Sequence, residues 1–189
     1  MEQETIKLNE QRIRNLGRSK STLQALAIIA DRGSTSGYEL RLLGIDGART
    51  LRTLAVAGLV RGAHHGKETK YMLVKTRTEI CIEVPLGLLT GRYTANQVAF
   101  WMMLERHRRT HKAPLRMNAD EFRRRVGSSP RGYKISGGSA DKRGNGHMNA
   151  LCDLLEADGW VKRARGTRMK KGGQYEVGAF EATRPWEKR

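Results

Sequence analysis

The feature that most constrains the fold is an internal repeat. The pattern Leu-x-x-Leu-x-x-x-Gly-Leu-Val begins at Leu51, and Cys-x-x-Leu-x-x-x-Gly-Trp-Val begins at Cys152, 101 residues further along the chain. In each copy, apolar residues at helical spacing come before a glycine, the residue that most often ends a helix. A basic, glycine-containing segment between short apolar runs follows, and it predicts a two-stranded hairpin. The repeat therefore predicts two units of the same architecture.

Capping boxes predict where the other helices of each unit begin. In this pattern a hydroxyl or amide side chain, followed three residues later by Glu or Gln, satisfies free backbone N–H groups at a helix start. It occurs at Ser21–Gln24 and Ser36–Glu39 in the first copy, and at Thr94–Gln97 and Asn118–Glu121 in the second. We therefore predict three helices followed by a hairpin in each unit.

This order of elements resembles the winged helix-turn-helix domains of transcriptional regulators. In that family, a Leu-x-x-Leu-x-x-x-Gly-Leu-Val segment runs into a basic hairpin closed by Tyr-x-Leu. Here the closing segment is Tyr71–Leu73 in the first copy and Tyr175–Val177 in the second. The resemblance implies a mainly α fold with small β-hairpin wings (α+β), arranged as two winged helix-turn-helix domains in tandem. It also implies that the third helix of each unit reads DNA and that the hairpin is its wing.

The repeat divides the chain into five predicted segments. They are a basic N-terminal arm (1–19), a first winged-helix domain (20–76), a linker with a short strand (77–93), a second winged-helix domain (94–178) and a C-terminal tail (179–189). The second domain contains a long basic inserted loop, residues 128–146, of a length that is typical of functional or disordered segments. The arm is expected to be disordered until it meets a phosphate surface or a partner.

The charge of the chain points to a polyanionic partner. It has 36 Lys and Arg against 19 Asp and Glu, a formal net charge of +17. Such an excess repels itself in the folded state and is tolerated where a nucleic acid is bound. The hairpin 161–173 alone carries six basic residues and no acid. Basic side chains at glycine-rich loop tips are suited to contact the phosphates of double-stranded DNA.

The candidate DNA-binding residues share a position on a third helix, a wing or the inserted loop. Arginine on a recognition helix can pair with guanine, asparagine suits adenine, and threonine can meet a thymine methyl group. The set comprises Arg49, Thr50, Arg52 and Thr53 on the third helix of the first unit; Arg61, His64, His65, Lys67 and Lys70 on the first wing; Arg131, Tyr133, Lys134, Lys142 and Arg143 in the inserted loop; Asn145, His147 and Asn149 on the third helix of the second unit; and Lys162, Arg163, Arg165, Arg168, Lys170 and Lys171 on the second wing.

The sequence contains no catalytic or cofactor motif. A zinc site needs about four ligands, whereas His107 and His111 form a single pair in a strongly basic segment. No phosphate-binding loop occurs, and carboxylates are too sparse in the basic regions for a two-metal nuclease. Rolling-circle nickases have two histidines separated by one apolar residue, whereas His64 and His65 are adjacent. We expect no enzymatic activity, no metal and no cofactor.

The compartment follows from cysteine content and hydropathy. Cys81 and Cys152 are too few for a disulfide framework, the N-terminus is not a secretory signal, and no apolar run approaches the roughly 20 residues that span a bilayer. We expect a soluble, cytoplasmic, nucleoid-associated protein with no membrane contact.

The sequence thus predicts a sequence-specific double-stranded DNA-binding protein that acts in transcription regulation or mobile-element biology. Two recognition helices would engage major-groove segments about 10 bp apart. One alternative is a plasmid or phage replication initiator that binds origin repeats. It is favoured by the strand at Ile80–Val84 and the following proline, which resemble the start of winged domains in such initiators.

Two further alternatives concern other partners. Acidic Asp153 and Glu156 on the second recognition helix favour a nucleic-acid-associated assembly subunit that uses one winged helix for protein contact. RNA binding through the basic loop and wing is the other, and the chain lacks the aromatic stacking platform common in single-strand readers.

Overall fold

The computed structural model of the protein describes residues 4–17, 19–66, 68–74, 80–117, 152–164 and 178–186, except the side chains of His65 and Met117. The chain forms two compact units, Met1–Ala99 and Phe100–Arg189. Each unit combines helices with a small antiparallel sheet, so the fold is mixed α and β.

The described residues of the first unit form four α-helices, five strands and a 3-10 turn, and they include the start of a further helix. In chain order these are β1 (Thr5–Asn9), α1 (Glu10–Arg14), α2 (Ser21–Arg32), β2 (Thr35–Ser36), α3 (Gly37–Leu42), α4 (Gly47–Val56), β3 (Val60–His65), β4 (Glu68–Leu73), β5 (Cys81–Pro85), the 3-10 turn Leu86–Leu89, and α5 (Ala95–His111), which crosses into the second unit. Strands β2, β4 and β3 form a sheet in that order, and β1 pairs with β5. The predicted hairpin is confirmed.

The prediction of a disordered N-terminal arm was wrong, whereas the short strand predicted in the linker is confirmed and pairs with a strand of that arm. Strand β1 alternates buried Ile6 and Leu8 with exposed residues, and it pairs antiparallel with β5, where Ile82 and Val84 are buried. Alternation with a period of two presents one apolar face to a core. The many charged residues of this segment favour a solvated arm, whereas the alternation of apolar residues favours a strand. Residues of the predicted arm and linker therefore form a second sheet of the first unit.

The second unit repeats the strand order of the first. The strands that the structure describes there are β6 (Leu115–Met117), β7 (Val161–Ala164) and β8 (Gly178–Ala182), with α6 (residues 152–157) before β7. They pair in the order β6-β8-β7, equivalent to β2-β4-β3. Strand β8 overlaps the predicted C-terminal tail, because Phe180 and Ala182 alternate into the core. The predicted strand Tyr175–Val177 lies outside the described residues.

The repeated glycine ends the helix in the same way in both units. Gly58 has a φ of 70° and Gly159 a φ of 77°, a left-handed conformation that costs glycine little. The residue after each glycine donates its backbone N–H to the carbonyl five residues back: Leu59 to Leu54 at 2.9 Å and Trp160 to Leu155 at 2.8 Å. This is the Schellman ending. The prediction that both glycines end helices is confirmed.

The predicted capping boxes are confirmed at two of the sites that the structure describes. Ser36 and Glu39 exchange side-chain-to-backbone hydrogen bonds at the start of α3, and Thr94 and Gln97 do the same at α5. The box at Ser21–Gln24 was wrong, since Lys20 is the N-cap residue of α2 and the Gln24 amide donates to the Thr90 carbonyl at 3.3 Å. Asn118–Glu121 lies outside the described residues.

Close backbone contact sets the position of α4 against α3. A Cβ atom placed on Gly47, the first residue of α4, would overlap the carbonyl group of Gly37, the first residue of α3. A Cβ placed on Gly37 would have its nearest neighbours at 3.9 Å, which is ordinary contact. Only one of these two glycines is therefore required by packing.

Gly47→Ala should lower the free energy of unfolding by about 1–3 kcal/mol, the usual cost of forcing extra volume into a packed contact. Gly37→Ala is the matched control and should leave stability unchanged or slightly raised, because alanine favours the helix more than glycine does. Urea unfolding followed by circular dichroism measures both. Equal stability of the two variants would contradict the contact.

Candidate nucleic-acid interface

Helix α4 presents a basic face to solvent. Asp46 is its N-cap and accepts the Arg49 backbone N–H at 3.2 Å. The buried residues of α4 are Gly47, Thr50, Leu51 and Leu54, which recur at helical spacing and place the rest of the helix outward. The exposed residues are Ala48, Arg49, Arg52, Ala55 and Val56. The helix contains no acidic residue, so its outer face is cationic with small apolar side chains between the charges.

Two of the four candidate residues on α4 have long cationic side chains that a ligand could reach. Arg49 and Arg52 are exposed, and within the described part of the chain neither side chain has a hydrogen-bond or ion-pair partner. Thr53 is half-buried, and its hydroxyl donates to the Arg49 carbonyl at 2.9 Å. The prediction that Thr50 is exposed was wrong: it is 4% exposed because it shares the packed face with Leu51 and Leu54.

The first wing is longer than the sequence predicted. The closing segment was expected at Tyr71–Leu73, whereas β3 and β4 pair from Val60↔Leu73 to His65↔Glu68. Arg61 is exposed on β3. His64 is also exposed, and its Nδ1 lies 3.1 Å from the Thr69 hydroxyl. Lys67 and the side chain of His65 lie outside the described residues.

Lys70 was predicted to contact DNA, but it is engaged within the unit. Its Nζ donates to Glu39 Oε1 at 2.5 Å and lies 3.6 Å from Glu68 Oε2. The other oxygen of Glu39 accepts the Ser36 backbone N–H at 2.8 Å, so the capping box and the wing are joined at one carboxylate. The hydrogen bond from Lys70, followed by that from Ser36, lowers the pKa of Glu39 from 4.5 to about 2. Lys70 therefore ties β4 to α3.

In the second unit, Arg163 is also engaged internally. Its Nη2 lies 2.9 Å from Asp153 Oδ1 and 2.7 Å from Glu156 Oε2, and its side chain is 6% exposed. Burial alone would lower the pKa of Arg163, but the hydrogen bond to Asp153 and the charge of Glu156 raise it overall. Arg163 was predicted to contact DNA, but the carboxylates of α6 hold its side chain against the protein. Lys162, its neighbour on β7, is exposed.

A buried carboxylate binds arginines at the end of α5. Glu105 is 1% exposed and accepts hydrogen bonds from Arg108 Nε at 2.7 Å and Arg109 Nε at 2.9 Å, and Arg184 lies 3.6 Å away. Burial would raise the pKa of Glu105, but the bonds from Arg108 and Arg109 lower it overall. Part of the basic segment 106–109 therefore stabilises the second unit.

Sequence reasoning missed an exposed apolar face on α3. Tyr38 and Leu42 are 64% and 69% exposed, and they are four residues apart on one side of the helix. Leu40 is the buried residue of α3, so the other apolar positions of this short helix lie outside the core.

The remaining candidates lie outside the described residues. They are Arg131, Tyr133, Lys134, Lys142, Arg143, Asn145, His147 and Asn149 of the inserted loop and second helix, and Arg165, Arg168, Lys170 and Lys171 of the second wing.

Neither relatives nor metal-binding groups of the described residues add to the description of the site. Comparison with protein-family models, curated proteins and solved structures finds no match. Among the residues that the structure describes, no group of three or more His, Cys, Asp or Glu side chains could hold a metal ion. No helix in those same ranges is long and apolar enough to cross a membrane.

The stability of the first unit should depend on pH through Glu39. Its pKa is lower in the folded state, so the unfolded state binds more protons and acid favours unfolding. The contribution is present above pH 4.5 and is lost as the pH falls towards 2. Glu39→Gln keeps an oxygen for Ser36 and removes the titration, so the free energy of unfolding should fall less steeply over this range.

Lys70→Met provides the complementary variant. It removes the largest cause of the lowered pKa, so the acid-induced loss of stability should still begin near pH 4.5 but should end at a higher pH and be smaller in total than in the wild type. Urea unfolding at a series of pH values measures both effects. Wild-type slopes in both variants would show that Glu39 does not titrate with folding.

Proposed function

We propose that this chain is a sequence-specific double-stranded DNA-binding protein built from two winged helix-turn-helix units in tandem. In the first unit, three helices, α2 to α4, are followed by the hairpin β3–β4, and β2 completes the sheet. Residues 43–46 join α3 to α4, and so short a connection supports the interpretation of the pair as a helix-turn-helix. The second unit supports the proposal through its matching strand order and matching helix exit.

One observation carries the proposal: the outer face of α4 is open, cationic and free of acid. Arg49 and Arg52 are three residues apart, so they project from neighbouring positions separated by about 4.5 Å along the helix axis. An α-helix fits the major groove of B-DNA, and arginine can pair with the O6 and N7 atoms of guanine there. The small side chains of Ala48 and Ala55 permit close approach of the helix to the bases.

The wing supplies contact with the DNA backbone in this proposal. Arg61 is exposed on β3, and the tip has Gly66 in a left-handed turn with a φ of 61°. Phosphate contacts position a protein without reading sequence. Arg61 and His64 are therefore assigned to the backbone, and Arg49 and Arg52 to the bases.

Transcription regulation or the biology of a mobile element is the proposed setting. Replication initiation at a plasmid or phage origin is a second candidate. The feature that favours it is β5, a strand that ends at Pro85 ahead of the 17-residue helix α5, as the resemblance to initiator domains requires. Selection of bound sequences from random duplex DNA tests the shared claim, because a specific reader enriches one motif and a backbone binder enriches none.

Arg49→Ala should relax base preference at one position of the selected motif, because a bidentate arginine contributes about 1–3 kcal/mol of discrimination. Lys7→Ala on β1 is the matched control: it also removes one positive charge, from a side chain that is 75% exposed and outside α4. Competition between the motif and single-base variants of it measures discrimination.

Arg61→Ala should behave differently from Arg49→Ala. It should weaken all sequences alike and reduce the slope of log affinity against log salt concentration by about 0.9, the value for one lost phosphate contact. If Arg49→Ala also weakens all sequences equally, α4 does not read bases.

A further inference from the structure

The two units differ at three equivalent positions, two on the helix α4 or α6 and one on the strand that follows it. The 101-residue offset that aligns Leu51 with Cys152 also aligns Arg52 with Asp153, Ala55 with Glu156 and Gly62 with Arg163. The alignment holds in three dimensions, because Gly58 and Gly159 share one helix exit and Val60 and Val161 both begin the following strand. The helix face that is cationic in the first unit is thus acidic in the second.

In the second unit these three residues bind one another. Arg163 extends from β7 to both carboxylates of α6, at 2.9 Å from Asp153 and 2.7 Å from Glu156. The first unit has no such connection, because Gly62 has no side chain and a Cβ there would lie 3.0 Å from Thr69 and 3.2 Å from Tyr71. Arg52 consequently stays exposed on α4.

The cluster of Arg163, Asp153 and Glu156 is unsuited to a groove lined by phosphates. Two carboxylates and one guanidinium leave a net negative charge on this part of α6. The buried member is the cation, at 6% exposure, whereas the Asp153 side chain is 61% exposed and that of Glu156 is 36% exposed. A phosphate backbone would therefore face the carboxylates, and like charges repel.

We infer that the two units contact DNA differently: only the first unit inserts its recognition helix, α4, into the major groove. In the second unit, Arg163 fastens α6 to β7, and α6 stays out of the groove. The inference rests on the proposed function and revises the sequence-based expectation of two helices in two groove segments. It makes Arg52 a specificity-determining residue and Asp153 a marker of the unit that does not read bases.

The test uses the full chain and the duplex motif that the wild type selects from random DNA, with affinity measured by fluorescence anisotropy at one salt concentration. Arg52→Asp gives α4 the charge of its counterpart and should weaken binding about ten-fold or more. Asp153→Asn combined with Glu156→Gln removes the acid from α6 without changing its shape. This double variant should change affinity by less than about three-fold and leave the selected motif unchanged, while its Tm falls because Arg163 loses its charged partners.

Each outcome has a defined meaning. An increase in affinity of more than about three-fold in the double variant, or a changed motif, would place α6 against DNA and overturn the inference while leaving DNA binding intact. Wild-type affinity in Arg52→Asp would overturn it also. If Arg52→Asp does not fold, as judged by circular dichroism, Arg52→Ala replaces it, and Asp153→Asn alone replaces a double variant that does not fold. A wild type that binds no duplex contradicts the proposed function itself, before any variant is compared.

Discussion

The helix exit at Gly58 is the interaction on which the first unit depends. The left-handed glycine sends the chain from α4 directly into β3 while Leu54 and Leu59, on either side of it, are both buried. The Gly58 carbonyl, which helix geometry leaves without a partner, accepts a hydrogen bond from the Arg12 guanidinium. The second unit meets the same requirement with a different residue: the Gly159 carbonyl accepts from the Thr183 hydroxyl at 2.7 Å. The direction of each hairpin relative to its helix follows from this exit.

Local signals made much of this architecture predictable. Gly58 and Gly159 follow apolar residues at helical spacing, Ser36 and Glu39 form a capping box in the sequence itself, and β5 was predicted to within one residue at each end. Each of these signals lies within a few residues of the structure that it specifies. The rest depended on the packed surroundings. Thr50 was misassigned because the width of the buried face of α4 depends on what packs against it.

The ion pairs of the candidate site also depend on residues that are far apart in the sequence. Lys70 and Glu39 are 31 residues apart, and Arg163 and Asp153 are 10 apart across a helix exit. No local pattern in the sequence indicates either pair. A count of basic residues therefore overstates the charge that is available to a ligand, since these cations stabilise their own units. The net charge of the chain can be read from the sequence, but the structure is needed to show which cations remain exposed.

The pairing of β1 with β5 has a consequence for how the protein is made. The Asn9 side chain reaches the Ile80 carbonyl, 71 residues later, and the two strands complete each other's apolar face. At typical rates of about 5–20 residues per second, the ribosome needs roughly 4 to 14 seconds to synthesise that interval. During this time Ile6 and Leu8 have no partner strand, although the helices and the wing between them have already been made. Strand β1 can therefore complete its sheet only after β5 has been synthesised.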